Sequence, residues 1–106
     1  MHQKGIEQMG RRSRYQIERD ELRSDYGHAY AGVGLWFPGT PETTSAIRIA
    51  EMQQQHLKNA IDFLEREIVA IESELLSGAL KSKEAVEGHI YAVNSKISEM
   101  KKHITK

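Results

Sequence analysis

Five histidines are the residues of this chain best suited to proton transfer or metal binding, and their spacing decides how far that chemistry can be read. His56, His89 and His103 have Gln53, Val86 and Met100 three positions earlier, so the Glu-x-x-His pattern of di-metal bundles is missing. H-E-x-x-H is missing too, and no metal site is expected from local spacing. The chain has no cysteine, which removes thiolate ligands and disulfides together. Gly32-Val33-Gly34 lacks the third glycine of a dinucleotide fingerprint, no Walker lysine is present, and no strained nucleophile turn accompanies the serines. The expectation is a protein that is not an enzyme and needs no cofactor.

Binding chemistry is better represented. Met52, His56, Asn59, Phe63 and Arg66 follow steps of four and three, which places them on one helix face, and Ala70 and Ser73 continue the row. A methionine, an imidazole and a phenylalanine left in water make poor use of a helix face, so something is expected to cover them. Two coverings are open. Trp36 and Phe37 can fold back over Met52, His56 and Phe63 as a second small core, with Asn59 and Arg66 bonding loop carbonyls. Alternatively, the row and the glycine-rich segment before it form a ligand pocket or partner groove. His56, Asn59 and Arg66 then supply directional contacts beside an aromatic wall of Trp36 and Phe37. A second candidate is Arg11-Arg12-Ser13-Arg14-Tyr15, the one local basic cluster. It reads either as a solvated helix surface offset by the acids that follow, or as an anion contact in which Arg11, Arg12 and Arg14 meet phosphates and Tyr15 stacks on a base.

The elements that must position these residues fall into three stretches of one domain, 1–106. Residues 1–26 form a charged helix or arm, with Tyr15, Glu18, Leu22 and Tyr26 near one face. Residues 27–48 hold four glycines and both prolines, which excludes an ordinary helix. Val33 to Phe37 can pair with Ala46 to Ile49 as a short β-hairpin, or the stretch is a packed irregular loop. Residues 49–106 make an antiparallel helical hairpin, so the fold class is mainly α and coiled-coil-like. The first helix is expected from Ile49 to Ser77, stopping at Gly78, and the second from an N-cap at Ser82 to about Ile104.

Leu57, Ile61, Leu64, Ile68, Ile71 and Leu75 match Val86, Ile90, Val93, Ile97, Met100 and Ile104 in antiparallel register, giving six apolar layers closed by one loop. That register places Glu74 beside His89 and Glu67 beside Lys96. On the other side it sets Glu72 beside Glu87 and Lys58 beside Lys101. Like charges that are acidic at the loop end and basic at the open end become complementary when two hairpins pack head to tail, so an antiparallel dimer or a higher homo-oligomer is expected. Solvated, unpaired charges are the bland alternative.

Fifteen basic residues balance fifteen acidic ones, so the chain lacks the long-range attraction of a general nucleic-acid coat. No apolar run is long enough to span a bilayer, and the first ten residues lack the apolar centre of a secretion signal. A cytoplasmic protein is expected.

The segment from Trp36 through Ile47-x-Ile49-x-x-Met52-x-x-x-His56-Leu57-x-Asn59-Ala60-Ile61-x-Phe63-Leu64-Glu65-Arg66 resembles a pattern in small bacteriophage proteins. In these a tryptophan and glycine turn leads through I-x-I into M-x-x-x-H-L-x-N-x-I-x-x-L-E-R. The present chain inserts P-E-T-T-S between the turn and the isoleucines. The resemblance covers about thirty residues and implies a phage or prophage origin. It further implies an anti-defence role in the host cytoplasm, by binding a host effector protein or by sequestering a nucleotide signal between subunits.

Overall fold

Apolar residues every three to four positions form two long helices here because each can bury one stripe against the other. In the computed structural model, which describes residues 13–39 and 45–105, these are α2 (Gln54–Ser77) and α3 (Lys83–Lys101), preceded by α1 (Arg14–Asp25). Leu57, Ile61, Leu64 and Ile71 of α2 are buried with Val86, Val93, Ile97 and Met100 of α3, while Ile68, Leu75, Ile90 and Ile104 are half-buried at the margins. At about 1.5–3 kcal/mol per fully buried large apolar side chain, the seam dominates the favourable side of folding. Gly78 ends α2 with φ of +89°, a left-handed conformation that a side chain would oppose. Ser82 starts α3, its hydroxyl accepting from the Ala85 N–H at 3.1 Å.

The N-terminal stretch closes the hairpin at both ends. Helix α1 packs on α3, and its Leu22 joins Ile71, Leu80 and Val86 at the turn end. A 3-10 turn, Gly27–Tyr30, leads to β1 (Leu35–Trp36), which pairs antiparallel with β2 (Ile47–Arg48) in the register Leu35 to Arg48 and Trp36 to Ile47. The short hairpin alternative for residues 27–48 is thus the one adopted. Trp36 carries the cover inward: with Ala29, Ile49 and Met52 it seals the open end over Leu57, Ala60 and Leu64.

Glu18 ties α1 to the α2–α3 turn. It is only 2% exposed, yet its carboxylate accepts from the backbone N–H of Ser82 at 2.7 Å and of Lys81 at 3.0 Å. Backbone donors at the start of α3 would otherwise be orphaned, and the negative charge complements the helix dipole there.

Three sequence expectations need correction. The first long helix starts at Gln54 instead of Ile49, because Ile49–Glu51 is a 3-10 turn and Met52 is extended, with φ −75° and ψ 142°. The second ends at Lys101, and Gln54 then pins the tail, donating to the His103 carbonyl at 2.8 Å and accepting from the Thr105 N–H at 2.8 Å. The polar neighbours also differ, since α1 and the loop it leads into compete for them. His89 meets Glu67 at 3.3 Å, Glu74 accepts from the Tyr26 hydroxyl at 3.1 Å, and buried Lys96 donates to the Gly32 and Leu35 carbonyls at 2.6 and 2.8 Å and to Glu99 at 2.6 Å. On the far side Lys101 lies 3.8 Å from Glu65, and Glu87 3.9 Å from Lys83. Those pairs relieve much of the like-charge repulsion read from the seam register.

Candidate functional site

The row on α2 divides into a covered and an open part. Met52 and Trp36 are buried in the core, as the covering by the tryptophan segment requires. His56, Asn59 and Arg66 stay exposed, and Phe63 is 43% exposed. Among the described residues neither Asn59 nor Arg66 bonds a loop carbonyl. Asn59 Oδ1 accepts from Gln55 Nε2 at 2.9 Å, and Arg66 pairs with Asp62 at 2.6 Å, both one turn away on the same helix. Phe37 is half-buried and contributes its carbonyl, which accepts from His28 Nδ1 at 2.9 Å.

That hydrogen bond places His28 where it matters. Its ring stacks on Trp36 at 5.4 Å and meets the edge of Phe63 at 5.0 Å, so three rings form a continuous platform from the core to the surface. His28, Trp36, Pro38, His56, Asn59 and Phe63 line a recess of about 220 Å³. On the other side of Phe63 a second recess of about 320 Å³ is lined by Tyr26, Phe63, Arg66 and Glu67. Phe63 therefore stands as a ridge between two hollows.

The two buried polar atoms without a hydrogen-bond partner among the described residues belong to the walls of these hollows: the Trp36 indole N–H and Glu67 Oε1. Such groups are costly and uncommon. Behind Glu67 runs a polar chain. Arg19 donates to the Tyr30 hydroxyl at 3.2 Å, that hydroxyl lies 2.8 Å from His89 Nδ1, and His89 Nε2 faces Glu67 Oε2. A guanidinium can only donate, so the Tyr30 hydroxyl is free to donate a hydrogen bond to Nδ1, which leaves Nε2 to donate its hydrogen to Glu67. Burial raises the Tyr30 hydroxyl above the usual tyrosine value despite the opposing charge and hydrogen bond of Arg19. Tyr26 is raised as well, by burial and then by its hydrogen bond to Glu74.

Sequence spacing found the row but missed His28, Tyr26 and Glu67 as its neighbours. His28 precedes the aromatics in a glycine-rich stretch, where no periodicity assigns a face; Glu67 borders the apolar seam and reads as a flanking charge. Of the basic cluster, Arg14 is exposed and 3.9 Å from Glu18, whereas Arg11 and Arg12 lie outside the described residues. The described residues contain no group of three potential metal ligands and no helix long and apolar enough to cross a membrane. No protein-family model, curated protein or solved structure matches the chain, so the site is read from its own geometry.

Proposed function

We propose that the chain is a non-enzymatic binding protein whose contact surface is the open part of the α2 row, and that it is a phage-type protein blocking or sequestering a host defence component. The observation that carries the binding reading is Phe63. It is a large aromatic side chain, 43% exposed and braced by half-buried His28 stacked on buried Trp36, with polar His56, Asn59 and Arg66 around it. A rigid aromatic anchor within a polar rim is the arrangement in which interface energy concentrates. His89, fully buried with both ring nitrogens engaged, supports binding over turnover. The defence target follows from the resemblance of the Trp36 to Arg66 segment to small bacteriophage proteins, and a host effector protein or a nucleotide signal would each suit it.

The test is phage plating on bacteria that carry single defence systems, with and without expression of this chain. The wild type is expected to restore plating on a defended strain. The combined variant His56→Ala, Asn59→Ala, Arg66→Ala should lose that effect while keeping its helical circular dichroism. Restoration by the variant equal to the wild type would refute the proposed surface.

A second reading, an assembly module, is favoured by a different face. Val69 and Leu76 are 66% and 89% exposed and lie one heptad apart on α2, in the row shared by Lys58, Asp62, Glu65 and Glu72. A head-to-tail second copy would cover them. Light scattering after size exclusion should then report a dimer or higher oligomer that Leu76→Glu dissociates, and a strict monomer at high concentration excludes it.

A further inference from the structure

Helix α1 covers one flank of the hairpin, with Arg19 laid against Gly88 and Tyr26 reaching Glu74, and leaves the other flank open. There Lys58, Ile61, Asp62, Glu65, Lys101 and Ile104 line a groove of about 410 Å³. Ile61 and Ile104 give it an apolar floor, and Lys58 and Lys101 put two ammonium groups on its rim. Further along the same flank of α2, toward the turn, stand Val69, 66% exposed, and exposed Glu72. Their spacing of three sets an apolar and an anionic side chain next to each other on the helix surface. That pair is the complement of what the groove offers. Neither Lys58 nor Glu72 has an ion-pair partner among the described residues, and Lys101 has only the exposed Glu65, at 3.8 Å. Asp62 is already held by Arg66 at 2.6 Å.

We infer that this groove receives Val69 and Glu72 of a second copy of the chain, so that two copies occupy each other's grooves about a two-fold axis. The inference rests on the assembly reading and fixes what that reading leaves open, the seat and the register. With the two α2 helices antiparallel, Glu72 opposite Lys58 brings Val69 onto Ile61 and Leu76 toward the Ile104 end of the other copy's groove, and symmetry makes every contact twice. Each Glu72 then meets two cations, Lys58 and Lys101. The same register brings the two Glu65 side chains near the axis, where Lys101, 3.8 Å from each, offsets their repulsion. Neighbouring registers are worse: a slip of one turn sets Glu72 opposite Asp62, a like charge, and the opposite slip carries it to Gln54, off the groove. Glu72 follows Phe63 by about two and a half turns of α2, so the two-fold face and the Phe63 row point in opposite directions. The dimer therefore presents two outward contact rows.

Because the chain has no cysteine, single Lys58→Cys and Glu72→Cys variants report the register directly. Under mild oxidation an equal mixture of the two should form a disulfide-linked dimer at least about fivefold faster than either variant alone, since only unlike positions face each other. Sedimentation equilibrium supplies the second arm. Lys58→Glu and Glu72→Lys should each raise the dimer Kd about tenfold, because each interface loses two attractions and gains two repulsions. Both side chains are exposed, so helical circular dichroism should stay as in the wild type. The double variant Lys58→Glu, Glu72→Lys should dimerise about threefold or more tighter than either single one. A dimer that neither reversal weakens, or a mixture that cross-links no faster than its components, overturns the groove and its register while the assembly reading stands. A strict monomer removes both.

Discussion

Glu18 and Glu67 are both carboxylates taken out of water on the packed side of the helices, at 2% and 5% exposure, and their surroundings put them to different uses. Around Glu18 the hydrogen-bond partners among the described residues are backbone: the Lys81 and Ser82 N–H groups at the α2–α3 turn occupy both its oxygens, with only the exposed Arg14 guanidinium 3.9 Å away, so the charge works for the fold. Around Glu67 the partners are side chains and one oxygen is left over, beside a recess walled by aromatics. Equal burial thus conceals unequal satisfaction, and satisfaction is the better guide to whether a buried charge serves stability.

The widest break between the two should come from Glu18→Ala. It strands the buried Ser82 N–H and the part-buried Lys81 N–H and removes a favourable charge at the start of α3, for an expected loss of about 3 kcal/mol in urea denaturation. A loss below about 1 kcal/mol would mean that water replaces the carboxylate easily. Lys96→Met is the next largest. It strands the Gly32 and Leu35 carbonyls and frees Glu99, so about 2 kcal/mol should be lost. Emission from Trp36, the single tryptophan, should shift to the red as the loop loosens.

The pH response sharpens the same contrast. Burial alone would raise the Glu99 carboxyl, but its hydrogen bond to Lys96, the Gly34 N–H, and the charges of Lys96 and Lys102 outweigh it and hold the group below the ordinary carboxylate range. A depressed folded value means stability present above the unfolded value of about 4.3 and lost as pH falls through the lower folded one. Acid titration followed by Trp36 emission should show a loop transition below about pH 4.3 that Glu99→Gln removes. The smallest effect belongs to Phe63→Ala. Its half-exposed ring should cost about 1 kcal/mol or less in stability, while binding by the row should collapse.

The helical hairpin was legible because a seam repeats: six apolar positions on each helix, Gly78 and Ser82 at the turn, all agree. What spacing could not give was the competition for polar side chains. Glu67 and Lys96 stand opposite one another in a seam drawn from two helices alone, yet Tyr30 claims His89, and the Gly32 and Leu35 carbonyls claim Lys96. Those partners come from a glycine-rich stretch whose path has no period to read. For the same reason Met52, His56, Asn59, Phe63 and Arg66 were visible as a row, while the third ring of the platform, His28, was not.

Urea unfolding of Glu67→Gln beside Glu18→Gln tests the difference between the two carboxylates most directly, since each substitution changes charge and leaves shape. Glu18→Gln is expected to lose about 1–2 kcal/mol through its weakened bonds to the start of α3. Glu67→Gln should stay within about 0.5 kcal/mol of the wild type, because an amide still accepts from His89 and no other bond is given up. A loss from Glu67→Gln as large as that from Glu18→Gln would contradict the account and return Glu67 to the fold.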